Sequence, residues 1–306
     1  MDKEHVRTWF VTGASSGIGH EMCRQLLSRG YNVIAVSRRV PDFSQDNALC
    51  LSVDVTKPED IERAVQEGLT RFGRIDVLMN NAGMSSNRTL EEVSCEEMRR
   101  VMEVNFWGSF HTMKALLPYF REQHHGTIIN NTSQSGISVR AFGSAYCSSK
   151  HALEGLTATI WHEAQKFCRV MAVEMGFFAG TEVLKNHSRQ GTQIEEYKNI
   201  PLFYKKFDRN FDNDLKTAIS FIIDTAEQKR LPRRLMLGKD ALIQIKTEVD
   251  AIEKDLKLSR KKALVCSLPQ MVDKKITFCG LTLYKKIIKK DCVKYYIIGI
   301  PVKIKM

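Results

Sequence analysis

The sequence predicts an α/β fold: a parallel, doubly wound sheet flanked by helices, in a single domain with a basic C-terminal extension. Three observations carry this expectation. The apolar run Arg7 to Thr12 stops at Gly13, passes through Gly13-Ala14-Ser15-Ser16-Gly17-Ile18-Gly19 and enters an amphipathic stretch to about Arg29. That order is strand, glycine-rich turn, helix. Short apolar runs then alternate with helical stretches across short links, as parallel sheets require. Finally, Tyr146 and Lys150 stand four residues apart, so a helix would place them on one face.

The second strand is Asn32 to Ser37, and Leu49 to Val53 is the third, ending in Asp54-Val55-Thr56. Thr56 and Pro58 read as the N-cap and N-terminal proline of a helix through Phe72. Asp76 to Asn80 is the fourth strand and runs into Asn81-Ala82-Gly83. Ser94 to Glu103 reads as a helix beginning in a near-capping-box. It leads through Asn105 into a further helix to about Glu122. Thr127 to Asn131 is the fifth strand, ending at Thr132-Ser133. The helix carrying Tyr146 and Lys150 continues to about Lys166, and Arg169 to Val173 is the sixth strand, ending at Met175-Gly176. In such a sheet the ligand lies at the C-terminal edge of the strands. Arg38, Asp54 and Asn81 would all lie there.

The chemistry of that edge can be read from residue types. Glycines let the chain turn tightly and approach a pyrophosphate, and the following helix N-terminus offers N–H donors and a positive dipole. The slot after the second strand, where a carboxylate would hold the ribose hydroxyls of NAD(H), has Ser37, followed by Arg38 and Arg39. An arginine there pairs with a 2′-phosphate, so NADP(H) is favoured over NAD(H). A free tyrosine ionises near pH ~10, too high to trade protons at neutral pH. A neighbouring ammonium lowers that value, which makes Tyr146 beside Lys150 a candidate acid/base.

Bulk properties narrow the function classes. The formal charge is +11, but residues 259–306 hold 12 of the 46 Lys/Arg and only 2 of the 35 Asp/Glu. The body of the chain is close to neutral, so no nucleic-acid-binding face is expected. Eight cysteines without a C-x-x-C pair fit free thiols rather than a disulfide framework or a metal site. The N-terminus has no apolar leader, and no run of about 18 apolar residues occurs. The expectation is a cytoplasmic protein.

Taken together, the motifs closely resemble the short-chain dehydrogenase/reductase family. They are T-G-A-S-S-G-I-G at 12–19, D-V at 54–55, N-N-A-G at 80–83, Asn105, Ser133 and Y-x-x-x-K at 146–150, in the family's order and spacing. The resemblance covers roughly residues 6 to 258. Leu231 to Lys246 also looks like the last strand and helix of a hydroxysteroid- and retinol-dehydrogenase-like subgroup. It implies a Rossmann-type domain over 1–258 and an enzyme acting on CH–OH donors with NAD(P) as acceptor. Tyr146 would exchange the proton with the reacting oxygen. Lys150 would lower the Tyr146 pKa and bind the nicotinamide ribose, Ser133 would orient the oxygen, and Asn105 would hold a relay water. Cofactor contacts would come from Gly13, Ser15, Ser16, Gly17, Ile18, Gly19, Ser37, Arg38, Arg39, Asp54, Val55, Asn81, Ala82, Gly83, Tyr146, Lys150, Gly176 and Thr181. The family usually has a Pro where Met175 stands, and Thr181 lies one residue later than its pattern. The resemblance further implies a homodimer or homotetramer through the helices at 105–122 and 146–166. The alternative from another class is a non-catalytic NADP(H)-binding regulatory module, which would have no need of the tyrosine.

Residues 182 to about 213 would form the substrate flap. Their aromatic and apolar residues suit a small hydrophobic carbonyl or alcohol, and equally suit any lid. Residues 259–306 are rich in Lys, Ile and Tyr and show no sustained period. They read as a disordered extension or as unselected translation past a normal end. A peripheral membrane anchor is a third, less favoured reading.

Overall fold

The computed structural model of the 306-residue chain describes residues 6–178, 192–200 and 213–266, together with the backbone of four strands between 276 and 305. By internal contacts the chain divides into two compact units, Met1–Glu248 and Val249–Met306.

The first unit is built on seven parallel strands. They are β1 (Thr8–Thr12), β2 (Asn32–Ser37), β3 (Ala48–Ser52), β4 (Val77–Asn80), β5 (Thr127–Asn131), β6 (Arg169–Met175) and β7 (Arg234–Leu237), in the spatial order β3-β2-β1-β4-β5-β6-β7. The order reverses between β1 and β4, which opens a crevice at their C-terminal ends. The central strands read as continuous apolar runs because helices cover both faces. Trp9, Phe10, Val11, Val33, Ile34, Leu78, Met79, Ile128 and Ile129 are all fully buried. One face packs against α1 (Gly17–Ser28) and α7 (Leu215–Glu227), through Met22, Leu26, Ile219, Ile222 and Ile223. The other packs against α2 (Pro58–Phe72), α4 (Gly108–Glu122) and α5 (Ser144–Glu163), through Ile61, Val65, Met113, Leu116, Phe120 and Leu153. Each such side chain contributes about 1.5–3 kcal/mol on burial, and together they hold the sheet edge still. Between α2 and α4 lie α3 (Cys95–Met102) and a π-helical turn, Glu103–Trp107. A single turn, α6 (Glu195–Lys198), precedes α7, and α8 (Lys239–Cys266) ends the helical series.

Local details decide the element ends. Ser94 caps α3 by accepting from the Glu97 N–H at 3.0 Å. Pro58 opens α2, but the N-cap is Lys57, not Thr56. The Thr56 hydroxyl instead donates to Asp54 Oδ1 at 2.8 Å, because Asp54 closes a local turn that claims it first. The five described cysteines, Cys23, Cys50, Cys95, Cys147 and Cys168, are all free. Among the described residues no helix is long and apolar enough to cross a membrane.

One buried polar cluster stands away from the crevice. Glu174 of β6 is fully buried beside Glu154 of α5 and Arg234 of β7. Arg234 reaches Glu154 at 2.6 Å and Glu174 at 3.5 Å. Burial, and then the Glu154 charge, push the Glu174 carboxyl up to about 8.

The second unit begins within α8. α8 runs past residue 258, the boundary expected from composition, to Cys266. An antiparallel sheet follows, formed by β8 (Ile276–Phe278), β9 (Leu281–Lys289), β10 (Cys292–Ile297) and β11 (Ile300–Lys305) in the order β11-β10-β9-β8. Its runs of Ile, Val, Tyr and Thr are strong strand formers, and consecutive hairpins need only short links. Irregular alternation hid them from a search for periodicity.

Candidate active site

The crevice between β1 and β4 is a cavity of about 740 Å³. Its floor is set by backbone geometry. Gly13 has φ +70°, and a Cβ there would meet Ala82 Cα at 2.9 Å. Gly17 has φ +55° at the first turn of α1. On Gly19 a Cβ would run into the Gly13 carbonyl oxygen and come within 2.7 Å of Asn81 Nδ2. Glycine is therefore required at 13 and 19 for the turn to lie against the β4 loop. Thr12 locks that contact by accepting from the Asn81 N–H at 2.9 Å and the Ala82 N–H at 3.0 Å. Asn81 donates to Thr12 O at 3.1 Å and accepts from Asn131 at 3.2 Å, so β1, β4 and β5 are tied at one point. A buried chain, Thr112 to Asn80 to Asn130 to Thr157, continues behind it with bonds of 2.6, 2.9 and 2.8 Å.

Of the residues singled out from sequence, Gly13, Ser15, Ser16, Gly17, Ile18, Ser37, Arg38, Arg39, Asp54, Val55, Asn81, Ala82, Gly83, Ser133, Tyr146, Lys150 and Gly176 all line this cavity. Gly19 and Asn105 lie behind its wall. Thr181 lies outside the described residues, as does most of the expected flap. Arg38 and Arg39 are exposed at one end of the cavity. Arg39 donates to Ser15 O at 3.0 Å, and the Ser15 and Ser37 hydroxyls meet at 2.9 Å. Gly176 is glycine for a packing reason: a Cβ there would approach Asp240 Cγ at 2.6 Å. Asp240 accepts from the Phe177 N–H at 2.8 Å, so Met175 in the usual proline position leaves the strand end anchored.

At the other end sit Ser133, Tyr146 and Lys150. Ser133 has φ +65°, a region that costs a non-glycine residue energy and marks sites held by their surroundings. Its hydroxyl accepts from the Ser135 N–H at 3.3 Å and hydrogen-bonds to the Tyr146 phenol. Tyr146 is 6% exposed and Lys150 4%. Lys150 donates to Asn131 O at 2.6 Å, and its Nζ lies 5.8 Å from the Tyr146 ring centre.

Burial dominates the electrostatics of the Tyr146–Lys150 pair. Burial raises the Tyr146 phenol above its ordinary value, and the Ser133 hydrogen bond and Arg140 charge oppose that rise. Burial brings the Lys150 ammonium itself down to about 8. The two residues share one face of α5, and the ammonium donates to the Asn131 carbonyl of β5.

Asn105 sits in the π-helical turn before α4, a feature frequent at functional sites. Its Oδ1 accepts from the Met84 N–H at 2.8 Å. Its Nδ2 donates to Met84 O at 3.0 Å and to Ser149 Oγ at 2.8 Å. It is a spacer between the β4 loop and α5. Arg140 was not foreseen. It lines the cavity with its guanidinium 5.6 Å from the Tyr146 ring centre, and no motif spacing marks it.

Known proteins resemble this chain in sequence and fold. Residues 7–191 match the model of the short chain dehydrogenase family. An uncharacterized oxidoreductase of Schizosaccharomyces pombe is 32% identical over 263 residues, covering 83% of this chain and 89% of its own length. A 3-ketodihydrosphingosine reductase of Bacteroides thetaiotaomicron is 36% identical over 241 residues, covering 77% of this chain and 88% of its own. A short-chain dehydrogenase of Streptomyces avermitilis superposes with a TM-score of 0.76 at 29% identity, over 86% of this chain and all of that one. The chain therefore belongs to the short-chain dehydrogenase/reductase family, and it is an oxidoreductase. The glycine cradle and the cavity above it fit the nicotinamide dinucleotide that this fold binds.

Proposed function

We propose that this oxidoreductase interconverts a ketone or aldehyde and its alcohol with NADP(H), using Tyr146 as the proton-exchanging group. The observation that carries the proposal is the placement of the hydrogen-bonded Ser133–Tyr146 pair and Lys150 in one cavity with the glycine turn and Arg38. When bound, the cofactor supplies or accepts the hydride. Tyr146 gives its proton to the carbonyl oxygen in reduction and takes it back in oxidation. Ser133, fixed by its backbone and by Ser135, hydrogen-bonds the same oxygen and orients it. Two donors on one oxygen stabilise the charge that develops there. Lys150 would hold the nicotinamide ribose from β5, and Asn105 would support the wall and a relay water from behind. Gly13 to Gly19 would cradle the pyrophosphate, with Ser37, Asp54, Val55 and Ala82 around the adenosine. Gly176 would border the nicotinamide, with Thr181 as its carboxamide contact.

Arg38 and Arg39 support preference for the phosphorylated cofactor. Both line the cavity just after β2, and a guanidinium there would pair with a 2′-phosphate, although Arg39 is partly committed to Ser15. Met84, Met175 and Phe177 make part of the wall apolar, which suits a small hydrophobic carbonyl or alcohol. A cytoplasmic homodimer or homotetramer, paired through α4 and α5, completes the reading. The test is nicotinamide turnover on a panel of ketones, aldehydes and hydrophobic alcohols, with NADPH/NADP⁺ and NADH/NAD⁺ in parallel. Turnover preferring the phosphorylated pair is expected. Preference for NADH would overturn the arginine argument. Cofactor binding without turnover on any substrate would favour a regulatory binding module.

A further inference from the structure

Three stretches far apart in the chain meet at the end of β6. They are Met175-Gly176-Phe177, the residue Asn213 shortly before α7, and Gly238-Lys239-Asp240 at the start of α8. Met175, Gly176 and Phe177 line the same cavity as Ser133, Tyr146 and Lys150. Met175 and Leu237 are the last partners of the β6–β7 ladder, and the Gly176 N–H closes it by donating to Leu237 O at 2.8 Å. Beyond that bond the sheet no longer holds the chain. Met175 is buried, but a methionine does not fix its own φ as a proline would.

Side chains take over where the ladder ends. Asp240 is 5% exposed, and its Oδ2 accepts from the Phe177 N–H at 2.8 Å. Asn213 Nδ2 donates to Phe177 O at 2.8 Å and to Asp240 Oδ1 at 2.7 Å. Asn213 Oδ1 accepts from the Lys239 N–H at 3.3 Å. Both backbone groups of Phe177 are therefore gripped by two side chains that also grip each other. The packing around them is tight. Gly238 has φ +105°, and a Cβ there would come within 2.8 Å of Asp240 Oδ1 and 2.9 Å of Asn213 Nδ2. A Cβ on Gly176 would run into the same carboxylate. Two glycines thus let two backbones close on one carboxylate. Exchanging a single acceptor atom in such a network leaves a shielded donor facing a donor.

We propose that Asp240 and Asn213 are positioning residues that, through Phe177, set the Met175–Phe177 wall of the cavity and so hold the nicotinamide in line for hydride transfer. Neither residue lines the cavity, so both act through the backbone they grip. Their catalytic meaning rests on the proposed NADP(H) reaction, but the grip and its effect on a bound nicotinamide can be read without turnover.

A clamp that served stability alone would lower cofactor affinity and turnover only as far as it unfolds the protein. A positioning clamp separates the two ends of the cavity. The glycine turn and Arg38 would keep the phosphates of the cofactor, while the nicotinamide would lose its fixed wall. A displacement on the order of 1 Å at a reacting centre can cost about 10²-fold in rate.

The experiment compares wild type, Asp240→Asn, Asn213→Ala and Phe120→Leu at a temperature where each is folded. Phe120 of α4 is fully buried against Gly126, before β5 and away from the strand ends that form the cavity, so its variant is a destabilised control. The measurements are hydrogen exchange at the Phe177 amide, NADPH affinity, the fluorescence lifetime of the bound dihydronicotinamide, and kcat on the best carbonyl. In Asp240→Asn and Asn213→Ala the Phe177 amide should exchange about ten-fold faster or more. The bound lifetime should shorten and kcat should fall about 10–100-fold. NADPH affinity should stay within about three-fold, because the phosphate contacts are distant. Phe120→Leu should lower the denaturation midpoint and leave the lifetime at its wild-type value. If Asp240→Asn does not fold, Asn213→Ala decides alone, since it leaves the carboxylate and its bond to Phe177 in place. A folded Asn213→Ala with wild-type lifetime and kcat would overturn the proposal, as would a lifetime that shortens equally in Phe120→Leu. A wild type that holds the dihydronicotinamide, and loses that hold in the variants, but turns over no carbonyl would leave the clamp intact and sink the proposed reaction instead.

Discussion

Replacing Gly19 by Ala adds one methyl group beneath the cofactor turn. The added Cβ would run into the Gly13 carbonyl oxygen and lie 2.8 Å from Gly13 C and 2.7 Å from Asn81 Nδ2, against ordinary contacts of about 3.5–4 Å. None of these atoms can retreat freely. Gly13 is pressed against the Ala82 backbone, and the Asn81 side chain is bonded to Thr12 and Asn131. Forced overpacking of this kind costs about 1–3 kcal/mol. The same substitution at Gly155, in the interior of α5, meets nothing within 4 Å. There alanine should gain about 0.5–1 kcal/mol from helix propensity and lost chain entropy. Urea denaturation at constant m-value measures both, and titration with NADPH measures the turn. Gly19→Ala should lower the midpoint and weaken NADPH binding at least ten-fold, a change of about 1.4 kcal/mol. Gly155→Ala should raise the midpoint and leave NADPH binding unchanged. Gly19→Ala with wild-type stability and affinity would refute the claim that the Gly13–Gly19 turn is tightly seated on the β4 loop.

Glu174 should make stability fall as the pH rises. Its folded pKa is raised from 4.5 to about 8, so the native state binds the extra proton between those values, and stability present below about pH 4.5 is lost as the pH passes 8. The full effect is on the order of 5 kcal/mol. Glu174→Gln should flatten the dependence of the denaturation midpoint on pH between 5 and 9, and an equally steep slope in that variant would contradict the assignment. Arg38→Ser should weaken NADPH binding by about 10–100-fold, the worth of one charge-assisted bond, while leaving NADH nearly unchanged. Equal losses for both cofactors would place Arg38 away from the 2′-phosphate. Asn105→Ala removes three hydrogen bonds between Met84, Ser149 and the π-helical turn and should cost about 1–3 kcal/mol in stability. A wild-type midpoint in that variant would show that the wall is held elsewhere.

Much of the molecule could be read from its residues because local and global signals agree. β2 and β5 fall where their apolar runs end, and α2 opens at Pro58. The glycine turn, Asn81, Ser133 and Tyr146 meet at one sheet edge because parallel strands present all their C-terminal ends together. What could not be read depends on distances that spacing does not set. Lys150 shares a face with Tyr146, but spacing alone does not name the Asn131 carbonyl to which it donates. Arg140 belongs to no motif, since its place follows from a left-handed Phe142 and a bridge from Arg88 to Gly143. Thr56 lost the N-cap to a local Asp54 turn. The four strands beyond α8 pair by hairpin rather than by clean alternation, so a search for periodicity passes over them.

The central claim is that Tyr146 moves the proton. Its most direct test is kcat/KM for NADPH-dependent reduction by wild type and Tyr146→Phe, on whichever carbonyl of the panel the wild type reduces fastest, with NADPH affinity measured in both. Removing a general acid costs about 10²–10⁴-fold. The account predicts a loss in that range with NADPH affinity kept within a few-fold. A Tyr146→Phe enzyme within ten-fold of wild type would contradict it.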